Sequence, residues 1–149
     1  VQAQSIYRVF FHGPAYQVIN SAWRWGKKVV AMLAKNLPPN HVPPELPVYA
    51  MPRFVELCFQ LGSLVGLATQ LRLGLPYSVR NLKFTAEPED AANKAYYSLV
   101  ESDSDGTYNA KVIDDEGKVY LILDGYKTMD LPESIQPELI DPIRHALGA

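Results

Sequence analysis

The spacing of apolar positions changes several times along this chain, and each change marks an element. Phe54, Leu57, Leu61, Leu64, Val65 and Ala68 recur at helical spacing. They predict a helix over Pro52 to Gln70, with Pro52 in the first turn, where proline is tolerated. Apolar residues also occupy most of its other faces, as expected of a helix wrapped by a sheet. Upstream, Ile6 to Phe11 is rich in β-branched and aromatic residues and predicts a strand closed by Gly13-Pro14. Tyr16 to Trp25 and Lys27 to Ala34 flank Gly26 and predict a hairpin, with Trp23 and Trp25 on one face. After Gly74, strands are expected over Tyr77 to Phe84, Tyr96 to Ser102, Tyr108 to Ile113 and Lys118 to Leu123. Asp105-Gly106 and Glu116-Gly117 supply turns for an antiparallel meander. Pro137 to Leu147 predicts a short terminal helix.

Between the hairpin and the helix, Leu37 to Pro52 holds six prolines. Prolines remove amide donors and fix φ, so neither a helix nor a central strand can run through this stretch. A stiffened loop of that length is often a site-forming element. The order of strands, one buried helix and more strands gives an α+β class, in which a curved antiparallel sheet can wrap the helix.

Composition narrows the function classes. The 149 residues fit a single domain over 1–149, large enough for a real core, and 48% hydrophobic against 20% charged residues is ordinary for a globular chain. A formal net charge of −2, with both signs mixed along the sequence, gives no field to attract a polyanion, so no nucleic-acid partner is expected. No apolar run approaches the roughly 20 residues that span a bilayer, so no membrane partner is expected either. The single cysteine, Cys58, excludes an internal disulfide framework and suits a reducing compartment, with the cytoplasm as default. The chain begins at Val1 close to a strand-like segment, as a piece excised from a longer polypeptide would. With one cysteine and scattered histidines there is no zinc pattern, and no glycine-rich phosphate loop occurs, so neither metal nor cofactor is implied.

The helix carries the strongest chemical signal. Glu56 and Gln60 are four residues apart and share one face of an otherwise apolar segment. Burying a carboxylate costs several kcal/mol, of order, unless it is neutralised or hydrogen-bonded. One reason for such a placement is acid–base catalysis, because desolvation moves a carboxyl towards the range of a general acid. The same pattern also fits a helix edge that faces water.

Four segments in order resemble the second hot-dog half of polyketide and fatty-acid synthase dehydratases. Phe11-His12-Gly13-Pro14-Ala15-Tyr16-Gln17 is similar to the segment that opens that half. Met51-Pro52-Arg53-Phe54-Val55-Glu56 to Gln60 resembles its His-Pro-x-Leu-Leu-Asp-x-x-x-Gln. Leu75-Pro76-Tyr77-Ser78-Val79 resembles a following strand. Asp115 to Val119 with Gly125-Tyr126-Lys127-Thr128 and Leu131-Pro132 resembles the terminal hairpin. Glu56 stands where the family usually has Asp, and Met51 where it usually has His.

The resemblance implies a hot-dog fold, a curved sheet around one long central helix. It also implies loss of water from a β-hydroxyacyl thioester on acyl carrier protein, the reaction of a 3-hydroxyacyl-[acyl-carrier-protein] dehydratase. Glu56 would be the general acid and Gln60 would orient it, while a histidine removes the α-proton. His12, Gly13, Pro14 and Tyr16 would line the acyl site. His41 lies 15 positions before Glu56, near the base-to-acid spacing of single-hot-dog dehydratases, and His145 is expected at the surface. In double hot-dogs the base belongs to the preceding half, so the site is expected to be completed by that half or by a homodimer partner. Non-catalytic binding of an acyl thioester and thioester hydrolysis are the alternatives on the same fold.

Overall fold

A computed structural model describes residues 1–46, 48–88, 94–132 and 135–148. Helix α1 (Ala3–Ile6) is followed by a single 3-10 turn (Pro14–Tyr16), the hairpin β1 (Ile19–Trp25) and β2 (Lys28–Leu33), and the long helix α2 (Pro52–Gln70). Then come β3 (Gly74–Ser78), β4 (Asn81–Phe84), β5 (Tyr96–Ser102), β6 (Tyr108–Asp114), β7 (Val119–Asp130) and helix α3 (Pro137–Leu147).

The strands form one antiparallel sheet in the order β1-β2-β5-β6-β7-β3, and β4 also pairs with β7. β7 is long enough to serve both: Leu121–Asp124 pair with β4 and Lys127–Asp130 with β3. Gly125, at φ 63°, separates the two stretches. The sheet does not close into a barrel, since β1 lies at one end and β3 at the other. α2 touches β1, β2, β3, β5, β6 and β7, and α3 packs against α2 as well. A helix enclosed in this way must be apolar all round: Phe54, Leu57, Leu61, Leu64, Val65 and Leu67 are each at most 5% exposed. β6 shows the matching alternation, with Tyr108, Ala110, Val112 and Asp114 buried and the residues between them less so.

The helix over Pro52 to Gln70, the hairpin, the lack of helix or strand among the described residues of 37–51 and the terminal helix match the expectations. Three expectations need correction. The strand predicted over Ile6 to Phe11 does not form. Tyr7 N–H donates to Ala3 O, and the amides of Val9 and Phe10 donate to Ile6 O, so the backbone is turned on itself. The buried pair Ile6 and Phe10, four apart, is a helical-turn pattern and outweighs the β-branched composition. Tyr16 lies in the 3-10 turn, so β1 starts only at Ile19. The strand predicted over Tyr77 to Phe84 is two strands that pair with different stretches of β7.

Candidate functional site

α2 begins from an unusual entry. Ala50 and Met51 both have positive φ, at 62° and 42°, a region that costs a non-glycine residue of order 1–2 kcal/mol. Pro52 then starts the helix. Backbone in sparsely populated regions clusters at functional sites, and one turn further on lies Glu56. The Arg53 guanidinium donates to Ala15 O at 3.2 Å and to Pro38 O, which ties the proline-rich loop to the Gly13-Pro14 turn.

Glu56 is 23% exposed and is gripped at one oxygen only. Gln60 Nε2 donates to Glu56 Oε1 at 3.0 Å, and His12 Nε2 lies 2.9 Å from the same atom. No hydrogen bond among the described residues reaches Oε2. Gln60 is 2% exposed and uses its whole amide. Nε2 also donates to Tyr16 O at 2.7 Å, and Oε1 accepts from Tyr7 Oη at 2.8 Å. Tyr7 Oη in turn accepts from Ile19 N–H at 2.7 Å. Burial is the main cause that holds the Tyr7 phenol above its ordinary range. The Ile19 amide works the other way, and the Glu56 charge adds to the rise.

His12 is fixed on both sides. Its ring stacks on Phe11 at a centroid separation of 5.6 Å and an interplanar angle of 2°. Nδ1 is buried with no hydrogen-bond partner. A proton on Nδ1 would have no acceptor, so the arrangement favours a proton on Nε2, donated to Glu56 Oε1.

His12 and Glu56 are shared by two adjoining depressions. One is an open cleft, further lined by Gly13, Tyr16, Ala50, Pro52 and Val55. The other is a narrow crevice of about 30 Å³, walled by Phe10, Phe11, Phe59, Leu73, Leu75 and Pro76. Glu56, Gln60, His12, Gly13 and Tyr16 therefore lie together, with the exposed Pro14 at the start of the turn that holds Tyr16. His41 does not join them. Its Nδ1 lies 2.9 Å from Asn40 Oδ1 and its Nε2 2.7 Å from Leu46 O, which holds the ring inside the proline-rich loop. His145 is exposed on α3.

Cys58 points into the core, where burial pushes its thiol up to about 12 although the Ser98 hydroxyl, 3.4 Å away, works against this. A thiol so placed is packing, not a nucleophile. Among the described residues no three metal-ligating side chains come together, and no helix is long and apolar enough to cross a membrane. Two contributors were missed in the sequence: Tyr7, placed in a strand that does not exist, and Arg53, whose long side chain reaches back to two carbonyls. No residue pattern announces either contact.

The profile of the family described as "Polyketide synthase dehydratase N-terminal domain" matches residues 4–138. Among solved structures, the dehydratase domain from the CurF module of curacin polyketide synthase superposes with a TM-score of 0.66 at 18% identity. That match covers 88% of this chain and 48% of that one. An inactive mutant of the CurK dehydratase with Asn in place of an Asp matches with TM-score 0.62 and 16% identity, over 89% of this chain and 49% of that one. Another, with Phe in place of a His, matches with TM-score 0.61 and 16% identity, over 88% and 47%. At such identities the likeness shows the fold, a hot-dog with its sheet around the helix. The chain spans about half the length of these solved dehydratases. No curated protein matches the sequence significantly.

Proposed function

This chain belongs to the polyketide synthase dehydratase family, and from that premise we propose that it is the acid-bearing hot-dog half of a dehydratase acting on a β-hydroxyacyl thioester carried by acyl carrier protein. The observation that carries this reading is the asymmetric grip on Glu56: among the described residues, two donors on Oε1 and none on Oε2. Protonated at Oε2, Glu56 gives its proton to the β-hydroxyl as the C–O bond breaks and water leaves. The electron pair of the α-C–H bond becomes the new π bond, and a histidine base takes that proton. Gln60 and His12 donate to the carboxylate as its charge develops, which is where fixed donors act most strongly. The two CurK mutants are inactivated at an aspartate and at a histidine, in keeping with a two-residue chemistry of this kind.

We place the base outside this chain. His12 Nε2 faces Glu56 and its Nδ1 is sealed, so the ring has no nitrogen free for the α-carbon. His41 is held within its loop. No His-x-x-x-Gly-x-x-x-x-Pro stretch, which resemblance assigns to the base-bearing half, occurs in the sequence. The matching profile is described as an N-terminal domain, whereas the ordered motifs from Phe11 to Pro132 resemble the second half, and the second half is our assignment. The preceding half, or another hot-dog subunit, is then the partner that supplies the histidine. A cytoplasmic setting fits one buried, unpaired cysteine.

Glu56→Gln tests the acid role. In the dehydratase completed by a histidine-bearing half, the variant is expected to lose at least about a hundredfold in kcat, the contribution typical of a positioned general acid, with thermal stability retained. Undiminished formation of the dehydrated thioester by Glu56→Gln would overturn the assignment. Release of free acid instead of the enoyl thioester would place the chain among thioester hydrolases.

A further inference from the structure

We infer that Tyr7 is a positioning residue for the acid: by holding the Gln60 amide in one orientation, it fixes Oε1 of Glu56 as the accepting oxygen and leaves Oε2 as the one that delivers the proton. This rests on the general-acid reading of Glu56.

The argument follows the donors. A tyrosine hydroxyl has one hydrogen, and Tyr7 Oη already accepts from the Ile19 amide at 2.7 Å. Its hydrogen therefore goes to the other neighbour, Gln60, at 2.8 Å, and the Gln60 atom there must be the carbonyl oxygen. The Gln60 nitrogen then faces two acceptors, Tyr16 O and Glu56 Oε1. Tyr16 O, a main-chain carbonyl, can only accept, so both ends of the amide agree on the same orientation. Burial raises the Tyr7 phenol above its ordinary range, which favours the neutral, donating form. The chain thus runs from the β1 backbone through Tyr7 and Gln60 to one named oxygen of the carboxyl group. The Tyr7 ring meets the His12 ring edge-on at a centroid separation of 6.4 Å, but among the described residues its hydroxyl bonds only Ile19 and Gln60, so the hydrogen-bonded link from that hydroxyl to Glu56 passes through Gln60.

Without the Tyr7 hydroxyl, Gln60 Oε1 is left buried and unpaired, and water or a rotated side chain will compete for it. The amide then donates to Glu56 less persistently. Tyr7→Phe is therefore expected to lower kcat about tenfold with KM within twofold, in the dehydratase completed by a histidine-bearing half. The side-chain amide resonances of Gln60 should shift, and the melting temperature should fall by several degrees, because Gln60 Oε1 and the buried Ile19 N–H both lose their partner. Replacing Tyr7 by 3-fluorotyrosine keeps the hydroxyl and should hold kcat within twofold of the parent.

Three results overturn the inference: full kcat in Tyr7→Phe, a loss of kcat with the Gln60 amide resonances unmoved, or a fluorotyrosine protein as impaired as Tyr7→Phe. The general-acid reading has its own arm. If Glu56→Gln is inactive while Tyr7→Phe is unimpaired, only the positioning role is lost. If Glu56→Gln is fully active, the acid role fails, whatever Tyr7 does.

Discussion

Glu56 and Asp114 are both carboxylates in a largely apolar structure, and their surroundings separate their roles. Asp114 is 1% exposed at the end of β6. Burial alone would raise its carboxyl. The hydrogen bonds from Lys94 Nζ, Tyr120 Oη and the amides of Lys118 and Glu116 overcome this and hold it at about 2. Both oxygens are saturated, so Asp114 closes the β6–β7 turn and has nothing to offer a substrate. Glu56, with a free oxygen on a cleft, is the opposite case. A carboxyl lowered on folding stabilises the protein at pH values above its unfolded range, near 4, and that contribution disappears as pH falls towards 2. The melting temperature is accordingly expected to drop between pH 4 and 2, and Asp114→Asn, less stable at neutral pH, should show a shallower drop. A parallel acid dependence in both proteins would contradict this role for Asp114.

At the scale of elements, α2 explains its own sequence once its neighbours are known. Two glycines in a 19-residue helix are costly for helix formation, of order 1 kcal/mol each relative to alanine. Gly62 and Gly66 lie four apart and face the tyrosines of the sheet. A Cβ at Gly62 would sit 2.8 Å from Tyr126 Cε1, and one at Gly66 3.0 Å from Tyr108 Oη. Gly62→Ala is therefore expected to destabilise the fold by about 1–3 kcal/mol in chemical denaturation, because overpacking outweighs the gain in helix propensity. A stabilised variant would show that β7 can retreat.

Much of this scale was legible beforehand. Helical spacing places α2 at its observed bounds, the terminal helix expected over Pro137 to Leu147 is α3, and Gly26, Asp105-Gly106 and Glu116-Gly117 mark turns that form. What was hidden depended on partners far along the chain. The turn at Ile6 to Phe10 is favoured by burial of two side chains four apart, and the break between β3 and β4 follows from the length of β7. In the site, Glu56 and Gln60 could be read from their i to i+4 spacing, and His12 from its motif. The contact of His12 with Glu56, across 44 positions, and the relay through Tyr7 require the folded chain.

Across the whole molecule, several features bear on the proposal that this chain holds half of a reaction site. The sheet leaves β1 and β3 at its ends, and the cleft at Glu56 is open. The chain covers about half of each solved dehydratase it resembles. Glu56 has one oxygen that takes no hydrogen bond among the described residues, and His12 and His41 are both otherwise engaged. The most direct test is to assay this chain on a β-hydroxyacyl thioester alone and together with a histidine-bearing hot-dog half, following formation of the enoyl product. The account predicts no dehydration by the chain alone, and activity on completion that is abolished by removing either that histidine or Glu56. Dehydration by the chain alone at the rate of the completed enzyme would contradict it.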